Sequence, residues 1–84
     1  MLKVGINIMN NMWTAKYWNK NQWIDIELIN IKSGMTIYVV EPDGNVVWNN
    51  VFNSSRLKVT KDACYNEDGN IEIEFIKGEV ELND

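Results

Sequence analysis

Apolar and polar residues alternate with a period of two through most of this chain, and no stretch sets up a convincing 3.6-residue period. Leu2, Val4, Ile6 and Ile8 alternate with Lys3, Gly5 and Asn7. Ile24, Ile26 and Leu28 alternate with Asp25 and Glu27, and Ile71, Ile73 and Phe75 with Glu72 and Glu74. Side chains that alternate in this way lie on opposite faces of a strand with one face buried. A chain so patterned is barred from a helical fold.

Turn chemistry separates the alternating segments. Asn10-Asn11 ends the first, and Lys20-Asn21 has the length of a two-residue hairpin loop between Met12–Asn19 and the strand that begins at Gln22-Trp23. Trp13 and Tyr17 have the i, i+4 spacing of one helical turn, but Trp, Thr and Tyr favour pleated surfaces, so residues 12–19 read as a strand. At Ile29 the apolar parity of the third segment switches, which predicts a bulge or a strand end covered by another element. Ser33-Gly34 turns the chain into Met35–Val40, uncharged on both faces as a central strand would be. Glu41-Pro42-Asp43-Gly44-Asn45 and Asn66-Glu67-Asp68-Gly69-Asn70 are Asp-Gly turns. Between them Val46–Phe52 reads as a returning strand, Asn53-Ser54-Ser55 as a turn and Arg56–Thr60 as a short strand. Lys61–Tyr65 carries no clear pattern, and Glu79–Leu82 alternates again.

These segments predict an all-β fold, a small antiparallel β-sandwich or barrel of about seven or eight short strands, with residues 1–84 as a single all-β domain. A domain of 84 residues buries little more than about 60% of its unfolded surface. The expected core includes Ile26, Ile37, Val39, Ile73 and Phe75.

The composition removes most chemistry. There is no histidine and one cysteine, Cys64, so an intrachain disulfide, a zinc ribbon and the imidazole-dependent nucleophile systems are excluded. Cys64 reads as a small half-buried residue. Paired carboxylates could serve a glycosidase, but no pair is specified and a chain this short offers little cleft. No catalytic residue, cofactor or metal is expected. The longest apolar runs fall far short of the roughly 20 residues that span a bilayer, and Met1–Gly5 lacks the pattern of a signal peptide, so the expected location is cytoplasmic, away from the membrane.

The formal net charge of −4 argues against direct nucleic-acid binding. It is unevenly spread, +2 over residues 1–40 and −6 over residues 41–84. Asp25, Glu27, Glu72, Glu74, Glu79 and Glu81 put paired carboxylates on one side of three strands, an anionic stripe if the fold gathers them and solvated outer faces if it does not. Asn49-Asn50-Val51-Phe52-Asn53-Ser54 resembles the calcium motif of βγ-crystallins, in which two Asn or Asp precede two variable residues, then Ser or Thr, then Ser. Asn53 departs from it at the fifth position, and six residues do not assign the chain to that family.

Four tryptophans are several times the usual share. In a regular strand the adjacent Tyr17 and Trp18 face opposite ways, so one of two large rings leaves the core side. Trp13, Tyr17 and Trp18, with Trp23 nearby, are the candidate contact residues, and Glu72 and Glu74 the candidate acidic flank. Elimination leaves a small non-enzymatic protein that binds another protein. Asn, Ile and Lys, which have AT-rich codons, supply 30 of the 84 residues, and point to a phage or mobile-element accessory protein acting on a host factor. A structural or assembly role, as a virion component or self-associating homo-oligomer, is the alternative, and a carbohydrate-binding module the third.

Overall fold

The computed structural model describes residues 4–8 and 12–78. Its strands are β1 (Val4–Ile8), β2 (Thr14–Asn19), β3 (Gln22–Ile26), β4 (Thr36–Val40), β5 (Leu57–Val59), β6 (Cys64–Tyr65) and β7 (Ile71–Lys77). All pair antiparallel in one sheet of order β1-β7-β5-β4-β2-β3. β6 pairs with the start of β7, on the same side as β5. The expected β-class and strand number hold, and among the described residues the sheet is not closed into a barrel: β1 and β3 are its edges. Leu2 and Glu79–Leu82, read as strand from their alternation, lie outside the described residues.

The alternation of each strand registers onto one face. Val59 stands opposite Phe75, Ile37 opposite Leu57, and Ala15 between Val39 and Ile26. Ile37, Val39, Leu57, Val59, Ile73 and Phe75 are almost wholly buried there, and Ile26 packs half-buried at the border. The expected core is therefore the observed one.

At Ile29 the bulge is the alternative that fails, and the strand end is the one that holds. β3 ends at Ile26, and Leu28–Asn30 form a short 3₁₀ helix that drops Leu28 and the following Ile31 into the core. Val46–Phe52 is not a strand. It is a loop pinned at two isolated bridges, Val40 to Val46 and Asn49 to Ser54. The physical reason is side-chain competition with the ladder: Asn49 Oδ1 accepts the Phe52 N–H at 3.0 Å, and Asn53 adopts a left-handed φ of 54°. The Asp-Gly turns form as expected. In the second, Asn66 Oδ1 accepts from both the Asp68 and Asn70 N–H groups.

The sheet curls. Ile26 on β3 and Ile71 on β7 line the same groove, although four strand spacings, about 19 Å on a flat sheet, separate them. Curling encloses the apolar face and leaves the other face outward.

Candidate functional site: an aromatic outer face and an apolar groove

The β2–β3 hairpin builds the first surface. Lys20 and Asn21 both take positive φ, 50° and 66°, the geometry of a type I′ turn whose twist suits a two-residue hairpin. That turn fixes Asn19 opposite Gln22, and hence Trp18 opposite Trp23 on the outer face. Their ring centroids are 5.0 Å apart, planes at 61°. Trp23 also meets Tyr38 of β4 at 4.7 Å and 79°. Three rings are thus joined edge to face, an arrangement favoured by their quadrupoles. On the same face Lys16 Nζ approaches Asp25 at 3.3 Å.

A shallow cleft of about 250 Å³ continues this surface, lined by Trp23, Tyr38, Val46, Ser55 and Arg56. Beyond it lies the loop of residues 46–53. Val47 and Phe52 pack against the core, Phe52 edge-on to Phe75 at 6.0 Å. Val46, Trp48 and Val51 are exposed, Trp48 by 55%.

The second surface is the groove, about 580 Å³, lined among the described residues by Trp13, Ala15, Ile26, Leu28, Ile29, Tyr65 and Ile71, with Thr14, Asp25 and Glu27 also on its wall. Its volume falls in the range of ligand-sized pockets. Tyr65 is 61% exposed beside it.

The candidate residues read from sequence are therefore dispersed. Tyr17 and Trp18 do face opposite ways: Trp18 lies outward, and Tyr17 packs on the core. Trp13 also packs on the core and lines the groove. Glu72 and Glu74 lie outward on β7, sharing a small depression with Lys61. Thr60 Oγ1 donates to Glu74 at 2.9 Å. With β4 and β5 between them and β2, they stand three strands along the sheet from the strand of Trp18. They do not flank its ring. Of the carboxylates read as a stripe, Glu79 and Glu81 lie outside the described residues, and among the described residues no three acidic or thiol groups converge closely enough to hold a metal ion. In the segment resembling a calcium motif, the Asn49 side-chain oxygen is spent on its own turn.

Tyr38, Val46, Trp48 and Arg56 were not singled out as contact residues. A signal for Tyr38 did exist: an inner antiparallel strand with no charge on its outward face needs a cover, and Thr36, Tyr38 and Val40 are that face. No family model, no curated protein and no solved structure matches the chain. Among the described residues no helix is long and apolar enough to cross a membrane.

Proposed function

We propose that this chain is a binding module, not an enzyme, and that it takes a protein partner on its outer face. The observation that carries the reading is the linked row Trp18–Trp23–Tyr38, continued by the cleft of Arg56 and the exposed Val46, with Trp48 exposed two residues further along the same loop. An antiparallel sheet with one buried face ordinarily turns polar residues outward. Here that face carries Trp, Tyr and Arg, the residue types that dominate interface energetics. Glu72 and Glu74 on β7, three strands from Trp18, contribute to a field that draws a basic partner and sets the association rate. The AT-rich residue usage favours a phage or low-GC bacterial source and a host protein as partner. The carbohydrate alternative is weaker on this face, because rings canted at 61° and 79° offer no common plane for a sugar chain.

The test compares wild-type protein with Trp23→Ala and Trp48→Ala in capture from bacterial lysate, alongside mass by light scattering. The expected result is one stoichiometric protein held by wild type, its affinity at least about tenfold lower for each variant. A stable homo-oligomer that captures nothing would replace this reading with the assembly role.

A further inference from the structure

The groove lies beside an open sheet edge, and the two together define a second site. The hairpin register settles which main-chain groups of β3 are free. A two-residue type I′ loop is closed by a hydrogen-bonded pair, here Asn19 and Gln22. By antiparallel alternation Ile24 and Ile26 also point their N–H and C=O groups at β2, and Trp23 and Asp25 point theirs away. Among the described residues β3 has no second neighbour in the sheet. Along its C-terminal half the groove opens, with Ile26 on the inward side and Asp25 and Glu27 on the outward side. The Glu27 carboxylate has no ion-pair or hydrogen-bonded partner among the described residues, and the Asp25 side chain is 87% exposed despite its contact with Lys16.

We propose that the edge of β3 and this groove take up an extended segment of a partner protein in which basic and apolar residues alternate. The segment adds as a strand to the outward groups of Trp23 and Asp25. Its apolar side chains enter the groove against Ile26, Ile29, Ile71 and Trp13, and its Lys or Arg side chains lie over Asp25 and Glu27. Three observations select that chemistry. A strand edge asks for an extended main chain, the groove wall asks for apolar side chains on one side of it, and the two carboxylates ask for cations on the other. This site meets the aromatic outer face at Trp23 and Asp25 but does not include Tyr38, Arg56 or Trp48.

The test uses two blocked octapeptides, alternating Lys-Val and alternating Glu-Val, titrated into isotope-labelled full-length protein. The Lys-Val peptide should bind at least tenfold more tightly, shifting the amides of Trp23, Asp25 and Glu27 and sparing Trp48. Methylating alternate peptide nitrogens should abolish binding for one set of positions and leave it intact for the other. Asp25→Asn with Glu27→Gln, which removes both charges without setting a second cation opposite Lys16, should weaken binding at least tenfold with little change in melting temperature, and Trp48→Ala should leave it unchanged, which separates this site from the outer-face reading. Equal binding of both peptides, indifference to methylation, or no shift at millimolar peptide would overturn the proposal. So would a dimer in light scattering whose Trp23 and Asp25 amides are protected from exchange, since the edge would then belong to a second copy of the chain.

Discussion

The rings of Trp23 and Tyr38 meet at 4.7 Å although β2 runs between their strands. Trp23 reaches across a neighbour to do so, and it also holds Trp18 at 5.0 Å. It is the middle of a three-ring row, so the rings are energetically unequal. Each aromatic pair is worth about 0.5–1.5 kcal/mol beyond area burial. Trp23→Ala loses two pairs, and Trp18→Ala or Tyr38→Ala loses one. In urea titrations Trp23→Ala should be the most destabilising of the three, by roughly one pair energy more than Tyr38→Ala. Equal losses would show that the row is not coupled through Trp23.

Phe75 is 1% exposed, opposite Val59 and edge-on to Phe52. Phe75→Ala should cost about 3–5 kcal/mol. A urea-derived loss below about 1 kcal/mol would show that the 46–53 loop collapses into the space at little cost.

Two glycines in strand or strand-end positions should respond differently to alanine. A Cβ on Gly78 would lie 2.8 Å from the Leu57 nitrogen and 2.9 Å from the Arg56 carbonyl carbon, both backbone atoms. Gly78→Ala should destabilise by about 1–3 kcal/mol through overpacking. At Gly5 the nearest atom is the Ile73 oxygen at 3.7 Å, an ordinary contact. Gly5→Ala should stay within about 0.5 kcal/mol of wild type. Thermal melts of the two variants, run together, check the contrast.

Lys20 sits at φ 50° in the hairpin loop. A left-handed conformation costs a non-glycine residue about 1–2 kcal/mol, part of which glycine gives back as unfolded-state entropy. Lys20→Gly should therefore raise stability by several tenths to about 1 kcal/mol. A lower melting temperature would mean that the lysine side chain contributes more than its backbone strain.

The Lys16–Asp25 contact should matter little to the fold. Both side chains are substantially exposed, 40% and 87%, and such pairs contribute about 0–1 kcal/mol. Lys16→Met should leave the urea midpoint nearly unchanged at high and low salt.

The fold was legible where period-two patterning and turn chemistry agreed. Ile71, Ile73 and Phe75 fall inward as their spacing demands, and Lys20-Asn21 closes the hairpin that its length predicts. Val46–Phe52 misled because its apolar content is that of a strand, while the Asn49 side chain takes the Phe52 N–H that a ladder would need. Tyr38 could have been flagged from the uncharged outward face of β4. The groove could not: Trp13, Ile26, Ile29, Tyr65 and Ile71 meet only because the sheet curls, and no local pattern encodes curl.

The pairing of β1 with β7 carries a consequence for biosynthesis. Among the described residues, 4–8 find their partners in residues 71–75, and at about 5–20 residues per second β7 is made roughly 3–13 s after β1. For that interval the first strand emerging from the ribosome has nothing to pair with, and the edge of β7 that it will cover does not yet exist. The central strands β2 to β4, joined by near-neighbour contacts, are free to assemble first. Nascent chains should then pass through a state that is protected in the middle and open at the N-terminal strand, and in that state Ile6 and Ile8 are available to chaperones or to the wrong strand.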